Sequence, residues 1–559
     1  MTFGDKFNRR RFLQGGSACL SLALPQPHAA LLGGVPSDTV EVRTPLGVLR
    51  GAKENGVASF KGVPYAGPVD GERRFRQARA LLPWSGTRDA LQLGPPSWQP
   101  GKTYFGIGEP KPQENCLVLT VWTPGLDRKR RPVMFYSHGG GFVVGSSGAP
   151  LQDGSNLARE YDVVVVSSNH RLGLLGYLYL GQLAGEEYAT SGNQGLLDIV
   201  DALKWVNANI ESFGGDPDNV MIFGESGGGA KTSCLYAMPS AKRFFRKASI
   251  ESGPGIRMLE KETASETTWK VLQHLGLQGH EWRKLLAVPV DKLVEAQVAV
   301  GRPAALPGAR LGWSRGISGL LGTGAFAPVV DGRILPNHPF DPAAPAISKD
   351  KPLIVGTNRD ETTFFFWERS ATDVFELTFP TLKERLQKEL GTSGDVVLKT
   401  YQESRPDASP SDIYVAITTA GMFGVGALTL AERKAAQRGA PVYCYLFVHE
   451  SDYVIPGTSH KFGAGHATEI PYKFNNIEVV KALGSRGFIG ANASSAAAAH
   501  NMSEMWSTFA RTGRPGAIGQ PQWPAYDLKD RATMEIDAQC RVVRDPYSKE
   551  RELWERLAP

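Results

Sequence analysis

The stretch that most limits what this chain can become runs from Asn219 to Lys231 and reads N-V-M-I-F-G-E-S-G-G-G-A-K. Val220 to Phe223 is a short unbroken apolar run, as expected of a strand buried on both faces. Gly224-Glu225-Ser226-Gly227-Gly228 follows at once, and Ala230 to Met238 then reads as a helix that stops before Pro239. A strand that enters a helix through G-x-S-x-G has the layout of a nucleophile elbow. The reason is steric. A serine on so sharp a turn needs neighbours without side chains two residues before and two after it, and Gly224 and Gly228 provide them. The turn also sets the hydroxyl at a helix N-terminus, where amide groups and the helix dipole favour negative charge. Alone, the motif is a weak signal, because a glycine-rich turn is spelled the same way.

The rest of the chain supplies a sheet for the elbow to project from. With 559 residues, 42% of them hydrophobic, the chain can bury a large core. Val40 to Gly51 alternates like a hairpin turning at Pro45-Leu46-Gly47. Val118 to Trp122, Pro132 to Tyr136, Val163 to Val166, Lys247 to Glu251, Pro352 to Gly356 and Pro441 to Val448 are further strand candidates. Gly195 to Ile210 places Leu196, Ile199, Val200, Leu203, Val206 and Ile210 at helical spacing, and the Ala-rich Asn492 to His500 also reads as helix. Strands alternating with helices predict an α/β fold with a mainly parallel central sheet flanked by helices.

A serine that transfers acyl groups needs a base, an orienting carboxylate and an oxyanion hole. Behind an elbow of this kind the chain order is Ser, acid, His. Ser226, Glu361 and His466 keep that order, and each follows a strand candidate, so each can sit at the same edge of a parallel sheet. Asp360 is an alternative acid and His460 an alternative base. Glu225 reads as a supporting group inside the elbow, and His138 as a strand-end residue beside the glycine turn Gly139-Gly140-Gly141.

These pieces resemble the type B carboxylesterases, serine esterases that include the cholinesterases. The likeness runs from about Val40 to Gly513 through F-K-G-V-P-Y-A, E-N-C-L, H-G-G-G-F, N-H-R-L-G, F-G-G-D-P, G-E-S-G-G, N-R-D-E and G-A-G-H, with Trp506 to Ala510 near its end. It implies one α/β-hydrolase domain over 38–559, with long insertions forming an active-site gorge. By the resemblance Ser226 is the nucleophile, Glu361 the acid and His466 the base, with oxyanion-hole amides from Gly140, Gly141 and Gly227. Glu114 and Arg74 would form a structural ion pair. The substrate would be a small-molecule ester, with amides or carbamates as alternatives using the same triad. A catalytically silent binding module is the reading from another class, and the intact Ser, Glu and His argue against it.

The chain also departs from the family. Gly227 stands where alanine is usual, and Asn115 where aspartate is usual. Ser97 lies about where the disulfide partner of Cys116 would be. No tryptophan occurs near Thr103 to Gly106, where a choline-gripping one would fall. Gly301 to Ala327, rich in Gly, Pro and Ala, reads as a rim or lid beside the pocket. Phe364, Phe365, Phe366 and Trp367 read as helix core or as an aromatic wall.

Composition closes off other classes. A formal charge of +6, from 62 basic against 56 acidic residues, gives no broad basic surface for nucleic acid. The run Arg128-Lys129-Arg130-Arg131 reads as a solvated loop. Neither C-x-x-C nor H-E-x-x-H occurs, and no metal or cofactor is expected. Residues 1–30 carry Asn8-Arg9-Arg10-Arg11-Phe12-Leu13-Gln14 and then a weakly apolar run too short to span a bilayer. They read as a twin-arginine export signal, with a transit peptide as the alternative. The expected location is therefore exported, with no stable membrane insertion once the signal is removed.

Overall fold

Unbroken β-branched runs place the core. Val164, Val165 and Val166 have no solvent exposure, which requires cover on both faces of their strand. The computed structural model describes residues 38–101, 109–301, 325–483 and 488–557. The proposed signal, Thr103 to Gly106 and all but the ends of the Gly301 to Ala327 stretch lie outside them.

Fifteen strands are found among the described residues: β1 (Thr39–Thr44), β2 (Gly47–Glu54), β3 (Val57–Pro64), β4 (Thr87–Asp89), β5 (Val118–Thr123), β6 (Arg131–Ser137), β7 (Val164–Ser168), β8 (Gly215–Glu225), β9 (Lys247–Glu251), β10 (Leu353–Asn358), β11 (Val442–Phe447), β12 (Ser451–Val454), β13 (Lys461–Gly463), β14 (Ala532–Ile536) and β15 (Arg541–Arg544). Thirteen join one sheet in the order β1-β2-β3-β5-β7-β6-β8-β9-β10-β11-β14-β15, with β4 beside β2. The strands from β7 across to β14 run parallel, and the pairs outside them are antiparallel apart from β2 with β4. The β1–β2 hairpin pairs Thr44 with Gly47, as the sequence predicts. The helix expected over Gly195 to Ile210 spans Gln194–Asn209. The helix expected over Asn492 to His500 is longer, Ser495–Thr512.

One feature differs from expectation and a second was not anticipated. Arg131 is not solvated: it is buried, with its guanidinium between Asp127 at 2.6 Å and Asp162 at 2.5 Å. Pro410 to Ala436 forms one apolar helical run of 27 residues, interrupted at Ala420–Gly424 by a π-turn. Its length and composition would suffice to cross a bilayer, yet 56% of its most apolar window is buried inside the protein, where it packs on β10 and β11.

Arg74 and Glu114 form the ion pair that the resemblance implies, with two hydrogen bonds of 2.6 Å. The remaining Arg74 nitrogen donates to the carbonyl oxygens of Leu285, Leu286 and Val288, so the pair staples two distant loops together.

Candidate active site

The elbow forms as its letters require. Ser226 sits at φ 56°, ψ −121° between β8 and the helix Gly227–Ala237. A non-glycine residue held there stores strain of about 1–3 kcal/mol, which persists only where the surroundings enforce it. They do. Ser226 N–H donates to the Glu251 carbonyl of the neighbouring strand at 2.8 Å. A Cβ on Gly224 would lie 2.5 Å from the Gly228 backbone, and one on Gly228 2.0 Å from the Ser137 oxygen. Neither position tolerates a side chain.

Glu361 follows β10 and is fully buried; its Oε1 accepts from Asn358 N–H at 2.8 Å. His466 lies on the excursion that leaves β11 and includes β12 and β13. That excursion is fastened to the turn carrying the acid: Asp360 and Ala464 pair through their backbones at 2.9 Å, and His466 N–H donates to the Glu361 carbonyl at 3.2 Å. His466 Nδ1 then stands 2.6 Å from Glu361 Oε2, which fixes the ring tautomer with Nε2 free of the acid. Nε2 faces the elbow, 3.2 Å from Glu225 Oε1, a charge contact without hydrogen-bond alignment.

The alternatives fall elsewhere. Asp360 is committed to Arg359 and to Ala464 N–H. His460 stacks on Phe375 at 4.9 Å and lies 3.8 Å from Asp412.

Aromatic rings close around His466. Phe423 stacks on it with centroids 4.9 Å apart, Phe365 lies at 4.9 Å and Phe364 at 5.8 Å. Phe364 and Phe365 are buried helix core, as one of the two readings has it, and their rings also contact the base. Phe423 was not singled out from sequence; the glycines of G-M-F-G inside an apolar run were the available signal, and the π-turn there aims its ring at His466.

Beneath the histidine lies a dense set of buried charges: Glu225, Glu251, Glu361, Glu469 and Lys473. Lys473 pairs with Glu251, which also accepts from Trp506 Nε1 at 2.6 Å and Ser249 Oγ at 2.7 Å. Glu469 accepts from Asn358 Nδ2 at 2.7 Å. Carboxylates outnumber cations, and an uncompensated buried charge costs several kcal/mol. Burial accordingly raises the pKa of Glu225 and of Glu469. For His466 burial acts downward, but the carboxylates of Glu225 and Glu361 outweigh it and raise the pKa.

The glycine turn after β6 has left-handed backbone at Gly140 (φ 85°) and Gly141 (φ 63°). It lies directly on the nucleophile helix: a Cβ on Gly227 would stand 2.0 Å from the Gly141 oxygen and 2.4 Å from Gly141 Cα and N. Cys116 is buried and free, as are Cys234, Cys444 and Cys540. Ser97 lies beside the Cys116 thiol, whose pKa burial pushes up to about 12.

Residues 38–554 match the model of the carboxylesterase family. The chain belongs to that family. It is 35% identical to a para-nitrobenzyl esterase of Bacillus subtilis (strain 168) over 515 residues, 91% of this chain and 97% of that one. It is 33% identical to a phenmedipham hydrolase of Pseudarthrobacter oxydans, over 90% of this chain and 96% of that one. The crystal structure of the Geobacillus stearothermophilus carboxylesterase EST55 at pH 6.2 superimposes with a TM-score of 0.77 at 35% identity, covering 92% of this chain and 99% of that one. The fold is thus that of the α/β-hydrolases, and this esterase is a carboxylic ester hydrolase.

Proposed function

We propose that this esterase cleaves carboxylic esters through an acyl-enzyme, with Ser226 as nucleophile, His466 as base and Glu361 as the acid that orients it. The 2.6 Å contact between His466 Nδ1 and Glu361, with Nε2 turned to the elbow, carries the reading. Ser226 Oγ gives its proton to His466 as it attacks the ester carbonyl. The Gly140, Gly141 and Gly227 amides receive the oxyanion. His466 then protonates the leaving alcohol, and water, activated by the same ring, releases the acid. A fluorophosphonate should label Ser226 in the folded protein and leave Ser226→Ala unlabelled. Absence of label on the unmodified protein would end the assignment.

Uncharged short-to-medium acyl or aromatic esters are the substrates we infer, because Phe364, Phe365 and Phe423 surround the base with apolar surface. A panel of nitrophenyl esters from acetate to palmitate, with a choline ester and an anilide, tests this by kcat/KM. Palmitate, choline ester or anilide in the lead would each overturn it, the anilide in favour of an amidase. We further propose one α/β-hydrolase domain from residue 38 onward, and export directed by the twin arginines of residues 1–30.

A further inference from the structure

One buried charge has no part in the chemistry above. Lys231 lies on the helix Gly227–Ala237, has no solvent exposure and donates Nζ to the His138 carbonyl oxygen at 3.0 Å. Among the described residues no carboxylate pairs with it. The titratable groups against it are the imidazoles of His138 and His170, stacked 4.5 Å apart at 17°. Burial and the neighbouring ammonium lower both their pKa values, so both rings stay neutral. Neither His170 nitrogen has a protein partner. Burial likewise pulls Lys231 down to about 7. Keeping Nζ charged here costs stability most fully below about pH 7, and above that pH the neutral amine can still donate to the His138 oxygen.

Its acceptor suggests what the cost maintains. The His138 carbonyl belongs to the first peptide of the turn that runs to Gly141. Holding that oxygen fixes the plane of the His138–Gly139 peptide, and with it the start of the segment from which the Gly140 and Gly141 amides project. The same turn rests on the nucleophile helix through the tight approaches at Gly227 and Gly228. Within the turn the Gly140 oxygen already accepts from Val143 and Val144 N–H, and Lys231 adds the side-chain hydrogen bond at its first carbonyl.

We propose that Lys231 is a positioning residue for ester hydrolysis: its Nζ, tied to the His138 carbonyl, holds the His138–Gly141 turn so that the Gly140 and Gly141 amides aim at the reacting carbonyl oxygen. The proposal rests on the oxyanion-hole reading above.

The test uses the full chain carrying Lys231→Met, an apolar side chain of similar length. Removing the lone cation is expected to raise Tm. Over the same change kcat for 4-nitrophenyl acetate should fall about tenfold or more with KM nearly constant, and affinity for a boronic acid that forms a tetrahedral adduct should fall in parallel. Opposite signs for stability and turnover separate positioning from a purely structural role. Lys231→Gln keeps an N–H donor without the charge, and its kcat should stay within about threefold of wild type. Undiminished kcat in the methionine variant overturns the proposal, as does a loss of about tenfold in the glutamine variant. Fluorophosphonate labelling of the unmodified protein keeps the two readings apart. An unlabelled wild type defeats the serine mechanism itself, whereas a labelled wild type with a fully active methionine variant removes only the role of Lys231.

Discussion

Gly227→Ala is the most informative single change, because it restores the residue usual in the family and should nevertheless damage this esterase. The new Cβ would lie 2.0 Å from the Gly141 oxygen and 2.4 Å from its Cα and N, whereas ordinary contact begins at 3.4 Å. The difference, 3.4 − 2.0 = 1.4 Å for the oxygen and 3.4 − 2.4 = 1.0 Å for the nitrogen, must be taken up by backbone on one side or the other. The nucleophile helix is anchored by the tight Gly224 and Gly228 contacts, so the glycine turn is the part that yields. Misplacement by about 1 Å costs on the order of 100-fold in rate, and loss of one oxyanion-hole donor costs about 100- to 1,000-fold, or roughly 3–4 kcal/mol. We therefore expect kcat for 4-nitrophenyl acetate to fall about 100-fold, with KM changed by less than about threefold, since the amides act on the transition state. Steady-state kinetics on the purified variant, with circular dichroism to verify folding, gives the answer. A folded Gly227→Ala protein with kcat within about threefold of wild type would show that the turn relaxes without moving its donors, and would refute this reasoning.

Other expectations follow from the same geometry. His466→Ala should remove nearly all turnover, by about 10⁴-fold, while His460→Ala stays mild; the reverse ranking in kcat would move the base. Because His466 must be neutral to accept a proton, kcat/KM should rise with pH. The carboxylates beneath it place that rise above the 6 to 7 that an unperturbed imidazole suggests, toward about 9. Glu225→Gln removes one upward push, so the limb should move to lower pH; an unmoved midpoint in the pH–kcat/KM profile would exclude electrostatic coupling between the two. Arg9 and Arg10 changed together to Lys should retain the precursor in the cytoplasm, checked by cell fractionation; normal export would rule out the twin-arginine route.

Most of the fold could be read because buried parallel strands are spelled as apolar runs. Val163 to Val166 and Val220 to Phe223 needed no context, and Gly224 and Gly228 named the elbow through steric demand. The long helix through Pro410 to Ala436 escaped the reading, since uniform apolarity gives no helical period when most of the surface is covered. Phe423 was hidden for a related reason: a π-turn shifts the register by one residue, and no spacing rule announces it. Arg131 looked like part of a solvated basic run because its burial and its second partner, Asp162, come only with folding, although Asp127 stands four residues before it. Lys231 was not singled out from sequence, because only the fold reveals that it is buried and faces a carbonyl rather than a carboxylate.

The serine beside Cys116 has a consequence for how the protein responds to redox conditions. With Ser97 in that place and the four described cysteines free, no cross-link restrains the unfolded chain, so the roughly 2–4 kcal/mol that a disulfide commonly contributes is absent. Packing and buried polar contacts such as Arg74–Glu114 and Arg171–Asp198 must hold the N-terminal half instead. A thiol reductant should accordingly leave the unfolding midpoint where it was. The thiols in turn are shut away from oxidants: burial raises the pKa of all four, which keeps the reactive thiolate scarce.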